Sequence, residues 1–101
     1  VLVFDEVDAG IGGAVAAAVG AQLRALGTTR QVLCVTHQPQ VAAAGHAQYR
    51  VSKAAQAGIT QSQVTVLDDA GRVGEIARML GGARVTGEAE AAARRLLAEM
   101  P

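Results

Sequence analysis

Apolar residues run unbroken from Val1 to Phe4 and give way at once to Asp5 and Glu6. An apolar run without polar alternation predicts a strand buried on both faces, as in parallel α/β sheets. Gly10, Gly12 and Gly13 then make a turn that opens a helix over about 14–26. Val15, Val19, Leu23 and Leu26 share one face of it, and Gly27 with Thr28 and Thr29 stops it. Residues 31–36 form a second apolar strand that leads directly into His37. Strand, helix and strand within some 36 residues make a βαβ unit, which implies parallel pairing through a right-handed crossover. Pro39 opens a short helix to about Ala44, where its missing N–H is harmless.

The period then changes. Ala47, Tyr49 and Val51 alternate with Gln48, Arg50 and Ser52, the pattern of a half-buried strand. A loop over 54–58 and a strand over 59–67 complete a predicted hairpin. Asp68–Asp69 cap a helix over 70–80, on which Val73, Ile76, Ala77 and Leu80 recur at helical spacing, and Gly81–Gly82 end it. Thr86 caps the last helix, where Glu88 and Glu90 sit favourably near the positive end. Ala89, Ala92, Ala93, Leu96, Leu97 and Met100 form its apolar stripe. The fold class is α/β, with parallel strands joined by a crossover helix, then a β-hairpin and two C-terminal helices. No linker or repeat divides residues 1–101, so they read as one unit.

Composition narrows this picture. Nine basic and nine acidic residues balance in 101, so no strong field toward nucleic acid or membrane follows. Half the residues are hydrophobic, yet Phe4 and Tyr49 are the only aromatics. No apolar run has membrane-spanning length and no signal peptide is visible, which suits a cytoplasmic protein. Cys34, the lone cysteine, lies in an apolar strand pattern and reads as a buried, inert thiol. The arginines are scattered, and Arg94–Arg95 read as a solvated helix face. Val1 is already inside a strand, so the chain reads as the C-terminal part of a larger domain.

Candidate chemistry gathers at the strand ends. α/β sheets bind ligands at the carboxyl ends of their strands. A carboxylate there suits Mg²⁺, and a second beside it can deprotonate water. Asp5 and Glu6 have that placement; the plainer alternative is a solvated acidic strand end that caps the glycine turn. His37 follows the second strand on the same edge and could meet a phosphate, or could be a surface histidine at a turn. His46 reads as a strand-edge residue. Spacing alone makes Asp8 a helix cap. Neither G-x-x-x-x-G-K-[ST] nor G-x-G-x-x-G occurs.

The ordered strings are more specific. Val-Phe-Asp-Glu-Val-Asp-Ala-Gly-Ile-Gly-Gly spans 3–13 and Cys-Val-Thr-His-Gln-Pro-Gln-Val-Ala spans 34–42. Val-Ser-Lys follows at 51–53, then Glu-Ile-Ala-Arg-Met-Leu-Gly-Gly at 75–82 with Thr86 beyond. In this order they resemble the C-terminal end of the RecN family of bacterial DNA repair proteins, over essentially the whole chain. The acid pair and the histidine are shared with ABC-type ATPase heads in general, including the SMC family. The Asp-Ala-Gly-Ile-Gly-Gly turn, the Thr-His-Gln-Pro-Gln-Val string and the Ala-Arg-Met-Leu-Gly-Gly helix end narrow the resemblance.

The resemblance implies the C-terminal portion of an ABC-type P-loop ATPase head. Asp5 would be the Walker B aspartate, holding Mg²⁺ through water, and Glu6 the general base for ATP hydrolysis. Asp8 would belong to a D-loop facing a second head across ATP, which replaces its capping role. His37 would sense the γ-phosphate. The Walker A loop, the signature motif and a coiled coil are expected upstream. The implied partners are the upstream half of the same head, a second copy across ATP, and DNA, in a cytoplasmic, nucleoid-associated setting without a membrane. The alternatives are another ABC-type head, of SMC or transporter kind, and a non-catalytic interaction module of the same fold.

Overall fold

The computed structural model describes residues 1–6, 10–82 and 84–99. Among them the order is β1 (Leu2–Asp5), α1 (Gly13–Leu26), β2 (Val32–Val35), α2 (Pro39–Ala44), β3 (Tyr49–Gln56), β4 (Ile59–Val66), α3 (Asp69–Gly81) and α4 (Gly87–Ala98). The fold is mixed α/β with two small sheets.

β1 and β2 pair in parallel, Leu2 against Val32 through Asp5 against Val35, with α1 as the crossover. The pleat therefore sorts both strands the same way. Leu2, Phe4, Val32 and Cys34 share a half-buried face; Val3, Leu33 and Val35 share an exposed one. The expectation of burial on both faces is corrected here, because only one face of this two-stranded sheet is covered. Cys34 is half-buried rather than buried.

α1 packs on α2 through small residues. Ala16 and Gly20 are its buried positions, while Val15, predicted for the inner face, is exposed. Any β-carbon at Gly20 would lie 3.0 Å from Ala44 Cβ and 3.1 Å from the Gln40 carbonyl oxygen, so a larger residue there would push the two helices apart by a few tenths of an ångström.

β3 and β4 form an antiparallel hairpin from Tyr49–Val66 to Gln56–Ile59. The predicted loop over 54–58 shrinks to Ala57–Gly58, with φ of 53° and 77°. Two positive φ values in a two-residue connection match the right-handed strand twist, so the ladder runs to its tip. Tyr49, Val51, Val64 and Val66 stand on one face and all are exposed, so alternation here does not mark a half-buried strand.

The core lies among the helices. Ala43 of α2, Ile76 and Ala77 of α3, and Ala89 and Ala93 of α4 pack together, flanked by Ala42, Val73, Leu96 and Leu97. The caps follow the sequence reading. The Asp68 carboxylate accepts from the Gly71 N–H at 2.7 Å, and Thr86 Oγ1 accepts from the Ala89 N–H at 3.1 Å. Gly82 ends α3 at φ 73°. Met100, assigned to the α4 stripe, lies outside the described residues.

Candidate functional site

Parallel pairing in this register places the residues that follow β1 and β2 side by side. The Glu6 N–H donates to the Val35 carbonyl at 2.8 Å, which extends the ladder one step beyond Asp5. Glu6 itself has φ 51°, in the left-handed region where a branchless or short polar residue is usual. That conformation costs on the order of 1–3 kcal/mol and concentrates at functional sites. The Glu6 side chain lies beside the end of β2.

There it meets His37. Glu6 Oε1 lies 3.6 Å from His37 Nδ1, and both side chains are more than half exposed. The separation is too long for a direct hydrogen bond and short enough for attraction to a protonated imidazole. At this exposure the pair adds little to stability. Asp5, exposed at the last position of β1, completes the edge. Asp8 lies outside the described residues, so the D-loop expectation has no geometry here.

The donor set fits a hard cation held mostly by other ligands. Among the described residues no three His, Cys, Asp or Glu side chains cluster as a metal cage. One or two carboxylates at a strand end are the protein share expected for Mg²⁺, whose remaining ligands are waters and phosphate oxygens.

The His37 segment is braced from several directions. The Gln38 N–H donates to Thr36 Oγ1 at 3.0 Å, and the Gln38 carbonyl accepts from the Val41 and Ala42 N–H groups. Pro39 is buried at the first turn of α2. Gln38 Nε2 donates to the Ile11 carbonyl at 3.3 Å, reaching from β2's end to the glycine turn after β1. Sequence reasoning assigned Gln38 no role. Its one signal was its position between His37 and Pro39 in the Thr-His-Gln-Pro-Gln string.

Two arginines also have roles that their spacing did not reveal. Arg72 Nη2 donates to the Ala42 and Gly45 carbonyls at 3.1 and 2.9 Å, and Arg24 Nη1 donates to the Ala44 carbonyl at 2.8 Å. Together they bond three carbonyls at the C-terminal end of α2 and oppose its negative end. Burial lowers the Arg72 pKa; nearby Asp69 raises it and Arg24 lowers it further. A 350 Å³ cavity lies beside them, lined in part by Arg94 and His46. His46 precedes β3 and is not on a strand edge. On α3, Glu75 pairs with Arg78, and this hydrogen bond raises the arginine's pKa. No helix among the described residues is long and apolar enough to cross a membrane.

No family model matches the chain. Individual relatives do. The chain is 63% identical over 99 residues to DNA repair protein RecN of Xylella fastidiosa strain Temecula1, which covers 98% of the chain and 18% of that protein. To DNA repair protein RecN of Vibrio cholerae it is 53% identical over 96 residues, 95% of the chain and 17% of the relative. To DNA repair protein RecN of Deinococcus radiodurans it is 57% identical over 81 residues, 80% of the chain and 14% of the relative. The chain thus spans less than a fifth of the length of these relatives. With such identity along nearly all its residues, the chain belongs to the RecN family, as a segment of a protein of that kind.

Proposed function

We propose that this segment carries the hydrolytic edge of an SMC-like, ABC-type P-loop ATPase head that serves DNA double-strand-break repair. The observation that carries the reading is the meeting of Glu6 and His37 at the adjoining ends of two parallel strands, 3.6 Å apart. The relatives' name supports the repair setting.

Each residue has a task that its chemistry can perform. Asp5, an oxygen donor at the strand end, would hold Mg²⁺ through water. The bound metal would neutralise charge on the transferring phosphoryl group. Glu6 would orient the attacking water and accept its proton at Oε1 or Oε2. His37 would donate a hydrogen bond to the γ-phosphate, held beside Glu6 by the shared sheet edge. Asp8 would belong to the surface that meets a second head across ATP. Hydrolysis would separate the heads and so move the rest of the protein on DNA. The nucleotide's other contacts, the upstream half of the head and the cytoplasmic, nucleoid-associated setting belong to the same proposal.

The test is Glu6→Gln in a full-length protein carrying this segment. The amide keeps the shape of the side chain and cannot take the proton. Turnover should fall by about 10²-fold or more while Mg²⁺–ATP still binds. Undiminished turnover would remove Glu6 from the reaction.

A further inference from the structure

We propose that Gln38 is a positioning residue that couples the glycine turn after β1 to His37. This rests on the hydrolytic reading of the Glu6–His37 edge and assigns that edge a regulatory link.

The geometry is a short brace. Gln38 Nε2 donates to the Ile11 carbonyl at 3.3 Å, 27 positions away in sequence. Its backbone is held at both ends: the N–H by Thr36 Oγ1 and the carbonyl by the first turn of α2. The next residue, Pro39, has a fixed φ and is buried. Gln38 thus has little freedom to move except with the partner its side chain grips. His37 is bonded directly to it and is exposed, with its imidazole beside Glu6. A displacement of the Ile11 backbone therefore reaches the imidazole through a single residue.

A second contact points the same way. Gln40, on the other side of Pro39, lies so close to Gly13 that a β-carbon there would come within 3.1 Å of its Nε2. Its Oε1 is buried without a hydrogen-bond partner among the described residues. Both glutamines of the Gln-Pro-Gln string therefore face the 11–13 segment. That segment begins after Gly10, at φ 78°, a backbone state open chiefly to glycine. On the hydrolytic reading this turn continues the surface that meets a second head. Gln38 would then place His37 correctly only when the turn is seated, so that phosphate contact and head contact occur together.

The experiment uses the full-length protein with two substitutions, Gln38→Glu and Gln38→Met. Each keeps the side-chain length and removes the donor; the carboxylate also repels the Ile11 carbonyl. Steady-state ATP hydrolysis and thermal unfolding are measured for both, with Glu6→Gln alongside. A misplaced group in a catalytic site costs rate more than binding, so kcat should drop about tenfold or more in both variants. KM for ATP and Tm should stay at wild-type values, a split that a purely structural glutamine would not produce. Unchanged kcat in both variants, with Glu6→Gln inactive, overturns the coupling and leaves the hydrolytic reading standing. A fall in kcat that tracks a fall in Tm also overturns it. Undiminished turnover in Glu6→Gln overturns both readings together.

Discussion

In the unit formed by α2, α3 and α4, Ile76, Ala77 and Ala93 are sealed from solvent, whereas in the two sheets Val3 and Val66 keep 66% and 70% of their surface exposed. The difference follows from geometry. A helix needs one apolar stripe covered, and a second helix can cover it. A parallel strand presents apolar residues to both faces and needs a layer on each side. The helical part completes its core from its own residues, alanines of all three helices around Ile76. The strands complete only one face of β1–β2 and leave open the hairpin face that carries Tyr49, Val51, Val64 and Val66. The candidate site lies on the incompletely covered part, at the edge where β1 and β2 end.

The sharpest way to break this contrast is to empty the helical core. Ile76 is fully buried, so Ile76→Ala should cost about 2–5 kcal/mol, read by urea unfolding with an unchanged m-value. A cost below about 1 kcal/mol would place Ile76 with the surface residues and dissolve the comparison. The matching change on the hairpin is Val64→Thr, which keeps the β-branched shape at an exposed position. In this chain it should change stability by no more than about 0.5 kcal/mol. A larger cost in a longer protein carrying the segment would show that this hairpin face is covered there.

Much of this was legible in the sequence, for local reasons. The Asp68 and Thr86 caps, the Gly82 stop and Pro39 opening α2 depend on neighbours a few residues apart, and the parallel strand–helix–strand unit follows from the order of its elements and the handedness of the crossover. The nearness of Glu6 and His37 followed from the same unit, since parallel strands in a βαβ crossover end on one edge. What failed depends on distant surfaces. Val15 has the right spacing for a core face, yet α1 meets α2 through Ala16 and Gly20, because close backbone approach outweighs side-chain size. Apolar alternation in β3 suggests cover, but cover comes from another layer and cannot be read from the strand. Gln38, Arg24 and Arg72 act on backbone carbonyls 20–30 positions away, and no periodicity marks such partners.

On the proposed function, Glu6 and His37 form one hydrolytic site rather than two neighbouring surface residues. The two possibilities separate in kcat for ATP hydrolysis by full-length Glu6→Gln, His37→Ala and the double variant. Groups that act as a unit are strongly non-additive, so the double variant should be about as slow as the slower single. Losses that multiply, or singles with undiminished turnover, would contradict it.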